Sequence, residues 1–454
     1  MTQEATDATV LAPLPRKDGV PTLDGRRVVL TTGSHRQQTY WTEGDKRGDL
    51  RIADVVWLVR ERRLVPRAEA FVTPPGEPLP RVRWGSSCIQ CHAVAGEPRH
   101  DVAKDSFDLR VAELGIACEA CHGPGAAHAE RHRDPFVRYA QRSKKERDPS
   151  IVHPKKIGKK ESIAVCGQCH AYAFPRDESD FWAHGYARAF AAGDPLERSR
   201  TLLAPGGNTG IDRPETAIFW ADGTVRVGGR ETNGFLLSAC TTRGDATCVS
   251  CHAMHAGDPS GQIAPKKTGD AMCTQCHAKA REHSHHAEGS PGRACVACHM
   301  PKTSYALLGA VRSHRIDIPS AENTATSGRP NACNLCHLDR SLAWTDTKLA
   351  LWYGTKQHEF HDDTFEGARG ALSGDAATRA IYAAAFGERD NGMSPPFREQ
   401  IMAELGRDPY AAVRWIANRN RTGDKEMIAL GPLSPEAIRA LLAARDDRKV
   451  SIAE

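Results

Sequence analysis

Long apolar runs and aromatic residues are both scarce in this chain of 454 residues. No stretch of about 18 consecutive apolar residues occurs, which argues against a membrane-spanning helix. Aromatic residues make up 6% of the chain, charged residues make up 26%, and the mean hydropathy is −0.50. This is a thin apolar supply for the cores of the two or three domains that such a length allows. We therefore expect something other than side chains to fill part of the interior.

Cysteine, by contrast, is in excess. Fifteen cysteines are too many for an ordinary reduced cytosolic protein, and their spacing does not suit a small disulfide scaffold. Fourteen of them occur in pairs within the pattern Cys-x-x-Cys-His, the attachment motif of c-type haem. The seven pairs are Cys88 and Cys91, Cys118 and Cys121, Cys166 and Cys169, Cys248 and Cys251, Cys273 and Cys276, Cys295 and Cys298, and Cys333 and Cys336.

The histidine that ends each motif has a defined part in haem binding. Two intervening residues let both sulfurs reach the two vinyl groups at one porphyrin edge from one tight turn, and the next residue projects under the iron. We therefore predict seven c-type haems, each with iron as its metal. The proximal ligands are His92, His122, His170, His252, His277, His299 and His337. Zinc sites built from paired cysteines are the alternative, but zinc does not require a histidine after every second cysteine.

The formal charge of +5 changes sign once the haems are counted. Each ferric haem adds about −1, so that seven of them bring the chain to roughly −2. The basic composition is therefore no argument for nucleic-acid binding, and we expect none. Cys240 is left outside the motifs, and we interpret it as a buried free thiol rather than as a redox or intermolecular thiol.

Thirteen histidines remain beyond the proximal ones, enough for a second imidazole on every iron. If the helix of the fourth motif continues past His252, His255 lies on the same side of the porphyrin as His252. It cannot then cap the opposite side of that iron, and we predict that it binds a neighbouring haem. The predicted distal ligands are His35, His128, His255, His283, His285, His286 and His314. His358 and His361 lie beyond the last motif, and we interpret them as surface residues.

Changes in residue pattern along the sequence predict three segments. Residues 1–85 form a lead-in with β-like runs, including RRVVLTT and a hairpin within residues 53–72. Residues 86–340 form the seven-haem domain, mostly short helices and loops wrapped round stacked haems, with a small hairpin at 217–229 turning at Asp222 and Gly223. Residues 341–454 predict capped helices at 375–386, 394–405, 408–419 and 434–445, in a small HEAT-like repeat domain. The expected fold class is mainly α.

Four stretches resemble a known superfamily: TGSHRQQTYW (32–41), CHGPGAAH (121–128), CHMP (298–301) and RPNACNLCHLD (329–339). They are similar to the multihaem c-type cytochromes that include hydroxylamine oxidoreductase, pentahaem nitrite reductase and the tetrahaem cytochrome of ammonia oxidation. Within that superfamily the likeness is greatest to uncharacterised members with a C-terminal helical domain. The resemblance implies compact, mainly bis-histidine haem pairs, and it implies that His128 caps another haem. Every motif here ends in histidine, unlike the lysine-ligated site of the nitrite reductases, and seven motifs differ from the eight haems of hydroxylamine oxidoreductase.

These observations favour an electron carrier. It would pass electrons between redox partner proteins, such as a quinol-linked donor and a terminal reductase or extracellular acceptor. The alternative is a multihaem reductase with one open iron that acts on a small nitrogen or sulfur oxyanion, and a sensor or scaffold is a third interpretation. The first 17 residues lack the features of a secretory leader. We nevertheless expect a periplasmic or extracellular location, because covalent haem attachment normally takes place outside the cytoplasm. Assembly into oligomers is also an expectation.

Overall fold

The computed structural model describes residues 2–4, 14–144, 147–204, 218–258, 261–388, 393–421, 423 and 425–452. Contacts divide the chain into two compact units. The first unit comprises Met1–Arg67, Pro80–Leu203 and Asp245–Ala264, and the second comprises Ala68–Leu79, Ala204–Gly244 and Pro265–Glu454. Haem motifs one to four fall in the first unit and motifs five to seven fall in the second.

An antiparallel sheet of seven strands begins the first unit. Its strands are Thr2–Glu4, Arg16–Lys17, Val20–Leu23, Arg26–Thr32, Gln37–Glu43, Leu50–Leu58 and Arg63–Pro66. The predicted strand RRVVLTT is therefore confirmed, and so is the predicted hairpin, because Val56 pairs with Val65 across the turn. Trp41 of this sheet packs with Trp84 and with Ile89. Because Ile89 lies inside the first haem motif, the sheet anchors that motif.

The rest of the first unit consists of short helices and two-stranded ladders. The helices are Ile89–His92, Cys118–His122, Ala126–Arg131, Pro135–Lys144, Lys159–His170 and Glu178–His184, with 3₁₀ turns at Trp84–Ser86, Pro154–Lys156, Leu196–Arg198 and Cys248–Ser250. The ladders pair Ala93–Val94 with Glu113–Leu114, His100–Asp101 with Ser106–Phe107, and Ala173–Pro175 with Arg200–Leu202. Such short elements leave much of the chain to be held by tertiary contacts.

The second unit is predominantly helical. Its helices are Glu231–Phe235, Ala239–Thr242, Ala271–Thr274, Cys295–His299, Ala321–Ser327, Leu342–Tyr353, Glu366–Leu372, Ala376–Phe386, Pro395–Leu405, Ala411–Asn420, Lys425–Ala429 and Pro435–Ala443. It also contains 3₁₀ turns at Ala280–His283 and Pro291–Arg293 and a ladder of Ser304–Ala306 with Gly309–Val311. The helix Arg67–Ala70 spans the point where the chain passes between the units.

Three of the four predicted helix starts are confirmed, because Asp375, Ser394 and Ser434 are the N-cap residues of their helices. Asp375 accepts the Thr378 N–H and Ser434 accepts the Ala437 N–H, whereas the Ser394 side chain makes no capping bond.

Asp408 is not the N-cap of its helix, which begins at Ala411. Its carboxylate accepts the Tyr410 N–H at 2.8 Å and forms a buried two-point ion pair with Arg379, at 2.6 and 3.1 Å. The helix therefore begins later than the sequence predicted.

Two predictions about the fold are not confirmed. The structure is a mixture of helix and sheet rather than mainly α, because the N-terminal sheet is larger than a single hairpin. The repeat character of the C-terminal helices is not confirmed either. The predicted hairpin at 217–229 is reduced, within the described residues 218–229, to one bridge between Phe219 and Val225 around the expected turn. The three-segment division of the chain stays a prediction.

No helix among the described residues is long and apolar enough to cross a membrane.

The Arg379–Asp408 pair yields a stability prediction. Both side chains are almost fully buried, so that Arg379→Met leaves an uncompensated carboxylate in the core and lowers the free energy of unfolding by about 3–5 kcal/mol. Denaturant unfolding followed by far-ultraviolet circular dichroism measures this change. The matched control is Arg439→Met, which breaks an exposed pair with Glu436 and is expected to cost at most about 1 kcal/mol. Equal effects of the two substitutions would contradict the assignment of Arg379 as a core residue.

Candidate haem sites

The Cys-x-x-Cys-His motifs share one local conformation, a single helical turn. The N–H of His92 donates to the Cys88 carbonyl at 2.8 Å, and the N–H of His337 donates to the Cys333 carbonyl at 2.7 Å. The equivalent bond recurs in the fourth and fifth motifs, and the remaining three motifs lie in or form α-helices. Residues i, i+3 and i+4 share one face of such a turn. Both thiols and the imidazole of each motif therefore lie on the same side, as attachment to one haem edge requires.

Three proximal imidazoles are oriented by backbone carbonyls. The Nδ1 atom of His122 lies 2.7 Å from the carbonyl of Val152, that of His299 lies 2.7 Å from the carbonyl of Asp317, and that of His252 lies 3.0 Å from the carbonyl of Gly261. A carbonyl oxygen can only accept, so each Nδ1 carries the proton and donates. Nε2 is then the unprotonated nitrogen, which is the state that a metal ligand needs.

Burial favours the neutral forms of side chains in the first and seventh motifs. It lowers the pKa of His92 to about 4 and also lowers the pKa of His337. Burial likewise raises the pKa of Cys88 to about 11 and of Cys333 to about 12. A neutral imidazole in apolar surroundings suits iron in both of its oxidation states.

In the first unit, the helix Lys159–His170 brings separate motifs together. A hydrogen bond to Cys248 and burial raise the pKa of Cys166, which places the third motif against the fourth. The Cys169 sulfur lies 3.9 Å from the Cys91 carbonyl, which places the same helix against the first motif. Gln168 of this helix also donates to the Ala120 carbonyl of the second motif at 2.7 Å. All four attachment sites of the unit thus adjoin this helix.

Three proximal imidazoles have a second imidazole at a common separation. The ring centres of His122 and His255 are 6.0 Å apart. Those of His299 and His283 are 6.0 Å apart, and those of His337 and His286 are 6.1 Å apart. Each pair joins residues that are distant in the sequence or belong to different turns, and each lies within one unit.

The separation is close to that expected for a metal between the rings. A metal–imidazole bond is about 2 Å long, and a ring centre lies about 1.2 Å behind its nitrogen, so two imidazoles that bind one metal from opposite sides would have ring centres about 6.4 Å apart. The rings of His128 and His132, which contact each other directly, are separated by 4.4 Å. The three wider pairs could therefore accommodate a metal between their rings.

His255 reaches its partner by a different route from the one expected. The fourth motif does not continue as a helix, since the 3₁₀ turn ends at Ser250 and His252 enters a bridge with Ile263. The premise of a continuing helix was therefore wrong. The structure nevertheless places His255 beside the proximal imidazole of another motif, His122.

His153 also lies near His122, with ring centres 6.4 Å apart and planes at 83°. The Nδ1 atom of His153 accepts the Lys155 N–H at 3.3 Å, so the neutral His153 ring carries its proton on Nε2. A metal-bound nitrogen must be unprotonated. This hydrogen bond therefore argues against His153 as the second imidazole.

His128 joins a small polar cluster instead of standing opposite a described proximal ring. Its Nδ1 lies 3.2 Å from an oxygen of Asp148, and His132 contacts the same oxygen. His128, His132 and Asp148 form the one group of three ligand-type side chains found in the described part of the chain. A carboxylate at Nδ1 is a common partner of a metal-bound histidine, and it leaves Nε2 for the metal.

The other predicted distal ligands occupy varied places. The His285 ring stacks on Trp352 at 4.6 Å with an interplanar angle of 8°. The exposed His35 bonds through Nδ1 to the Ser34 hydroxyl at 2.8 Å, and the Nδ1 of His314 lies 3.3 Å from the Arg312 carbonyl. The structure does not bring these three opposite a proximal ring in any described pair, and their role as ligands stays a prediction.

Some residues of the sites were missed by sequence reasoning. The carbonyl acceptors of Val152 and Asp317 are backbone atoms, which no residue type reveals. The ring of Trp344 lies 5.0 Å from the ring of the proximal His337, yet it belongs to the segment predicted as a helical-repeat domain. Its position seven residues after a haem histidine was the only available signal.

Comparisons with known proteins agree with this chemistry. The family described as "Doubled CXXCH motif" matches residues 241–282, and the family described as "Cytochrome c554 and c-prime" matches residues 73–123. The solved structure "Outer Cell Wall Cytochrome OcwA" is similar to the chain with a TM-score of 0.51 and 18% identity, over 98% of this chain and 93% of that one. An undecaheme cytochrome from the S-layer of Carboxydothermus ferrireducens has a TM-score of 0.35 and 16% identity, over 90% of this chain and 63% of that one. No curated protein sequence matches.

The motifs and the fold therefore identify c-type haem as the cofactor and electron transfer as the general activity. The expected membership in the superfamily of hydroxylamine oxidoreductase and nitrite reductase is not shown by these matches.

A close approach in the second unit yields a prediction about the site. A Cβ atom on Gly292 would lie 2.5 Å from Cδ2 and 2.7 Å from Nε2 of His286. Gly292→Val is therefore expected to push the His286 ring from its place beside His337 and to remove one low-spin signal from the ferric electron paramagnetic resonance (EPR) spectrum. Gly309→Ala is the control, because its Cβ meets its nearest neighbour at an ordinary 3.7 Å. A wild-type spectrum for Gly292→Val would contradict the predicted displacement.

Proposed function

We propose, on the premise that the chain is a multihaem c-type cytochrome, that it is an exported electron carrier with seven covalently attached, mostly bis-histidine haems. The single observation that carries this proposal is the common separation of 6.0–6.1 Å in three imidazole pairs. Bound haem supplies one-electron exchange between ferric and ferrous iron. The chain holds each iron from both sides at these sites.

The shared conformation of the seven motifs supports the proposed haem count. Each motif presents two thiols and an imidazole on one face of a turn, so that each is assigned one haem. The fourteen motif cysteines form the thioethers, and the seven motif histidines bind iron through Nε2. Carbonyl partners at Nδ1 fix the ring orientation before iron binds.

The proposed distal ligands are assigned from the ring pairs. His255 serves the iron of the second motif, His283 that of the sixth and His286 that of the seventh. His128 is proposed as a further distal ligand, with Asp148 as the acceptor at its Nδ1. His35, His285 and His314 remain candidates for the other irons.

Axial ligation by two imidazoles supports carriage of electrons rather than catalysis. An iron with both axial positions filled by protein has no place for a substrate. Cross-ligation between motifs also couples haem binding to folding, so that ligands are preorganised and little rearrangement accompanies a change of oxidation state.

The proposed location is periplasmic or extracellular. The similar structures come from cytochromes described as belonging to an outer cell wall and an S-layer. The proposed partners are redox proteins: a quinol-linked donor on one side and a terminal reductase or extracellular acceptor on the other. Oligomers that extend the haem chain belong to the same proposal.

One observation favours a second candidate, a reductase with an open iron. Cys276 and His277 of the fifth motif are exposed, so a small oxyanion could reach this motif from solvent. Addition of nitrite, sulfite or cyanide to the ferric protein distinguishes the two functions. A carrier shows only low-spin haem and no spectral change, whereas a high-spin signal that shifts with the added anion favours the reductase.

The haem count is tested by removing attachment sites. Replacing both cysteines of any one motif by serine is expected to lower the ratio of haem to protein by one, because that haem loses both thioethers. Pyridine haemochrome absorbance and intact mass give the ratio. Cys240→Ser is the control and is expected to leave the ratio unchanged.

The axial assignment is tested in the first unit. His255→Ala is expected to retain every haem but to convert one ferric iron from low-spin to high-spin, or to a different ligand set, as measured by EPR. His153→Ala is the matched control, because that ring also lies near His122 but its Nδ1 accepts the Lys155 N–H. An effect of His153→Ala alone would instead assign His153 to this iron.

A further inference from the structure

We infer that the helix Leu342–Tyr353 positions both distal ligands of the second unit, with Trp352 and Tyr353 as the positioning residues. This inference rests on the proposed ligation by His283 and His286. It assigns a role to a helix that lies after the last haem motif and that carries no cysteine or histidine.

The segment that bears the distal histidines has little structure of its own. His283 ends a short 3₁₀ turn, and residues 284–286 lie outside any helix or strand. His283 and His286 are three residues apart, yet they face two different proximal rings, His299 and His337. Local backbone bonds cannot fix both directions, so contacts from elsewhere in the unit must do so.

Two consecutive residues at the end of the helix supply those contacts. The Tyr353 hydroxyl donates to the His283 carbonyl at 2.9 Å, and the Tyr353 ring lies 6.3 Å from the His283 ring. The Trp352 indole stacks on His285 at 4.6 Å. Trp352 and Tyr353 therefore hold the chain at two points. One is the carbonyl of the distal ligand His283, and the other is the side chain of His285, which precedes the second distal ligand, His286.

The other end of the same helix is fixed to the seventh motif. Thr345 donates its hydroxyl proton to the side-chain oxygen of Asn334, at 2.7 Å, and Asn334 lies between the two cysteines of that motif and is fully buried. Trp344 contacts the ring of His337, the proximal ligand. Trp352 lies eight positions after Trp344, which corresponds to about 12 Å along the helix axis.

The helix itself is well defined at both ends. Ser341 caps its N-terminus through the Trp344 N–H, and Gly354 ends it in the left-handed conformation with φ of 64°. A rigid element thus connects the proximal side of the seventh motif to the segment that carries its distal ligand. We infer that it sets the distance between the His337 and His286 rings, and that it sets the direction of His283 at the same time.

Four variants test the inference in the holoprotein. Trp352→Ala removes the stack, and we expect it to release a distal ligand in part of the molecules. Up to one ferrous haem per chain then binds CO, against none in the wild type if all its irons are six-coordinate. Trp352→Phe keeps a ring for stacking and is expected to restore the wild-type spectrum. Tyr353→Phe removes only the hydroxyl group and is expected to give a smaller CO-binding fraction than Trp352→Ala. Leu351→Ala is the matched control on the same helix, because that side chain is 71% exposed.

The thioethers do not depend on these contacts, so the ratio of haem to protein is expected to stay constant in all four variants. Wild-type CO binding by Trp352→Ala and Tyr353→Phe would overturn the inference. If Trp352→Ala does not fold, Tyr353→Phe decides: increased CO binding supports the positioning role and wild-type CO binding overturns it.

His286→Ala separates this failure from failure of the proposed ligation. If His286→Ala gains CO binding while the helix variants do not, the ligation stands and the positioning role falls. If His286→Ala itself behaves as the wild type, the ligand assignment on which the inference rests is wrong.

Discussion

In the proposed sites, one distance between two imidazole rings governs how the surrounding elements are arranged. The first imidazole belongs to the attachment motif itself, because the two thiols and the histidine share one face of a five-residue turn. The second imidazole must then arrive about 6 Å away, ring centre to ring centre. Three pairs meet this distance, and the elements around them are those that make it possible: carbonyls behind the proximal rings, turns that carry the distal ones, and a helix that connects both sides of one site.

A short supply of apolar side chains is consistent with this arrangement. Much of the chain between residues 86 and 340 consists of short helices, turns and two-stranded ladders, and its buried apolar side chains, such as Phe107, Phe190 and Trp220, are spread over a long stretch. Apolar side chains concentrate in the N-terminal sheet and in the helices between residues 366 and 417. We therefore expect the segments between the attachment motifs to depend on the bound haems for a fixed conformation.

The attachment sites could be predicted from the sequence because their residues are close together in the chain. The pairing of the histidines could not, because it depends on contacts between residues that are distant in the sequence. The spacing of Cys88, Cys91 and His92 identifies them as a haem-attachment motif. The residue types of Asp375 and Ser434 predict where two helices begin. The partner of His255 depended on a turn after Ser250 that the motif does not encode, so that a wrong premise led to a proposal that the geometry still supports. Asp408 shows the opposite case, in which a residue of a typical capping type lies ahead of its helix and pairs with the distant Arg379. The N-terminal sheet was underestimated because short strands such as Arg16–Lys17 carry no pattern long enough to recognise.

Diffraction from the holoprotein at the iron absorption edge shows whether single irons lie between these ring pairs. We expect an anomalous peak between Nε2 of His122 and His255, a second between those of His299 and His283, and a third between those of His337 and His286. Iron peaks beside His122, His299 and His337 with other residues as their second ligands would rule out this ligation.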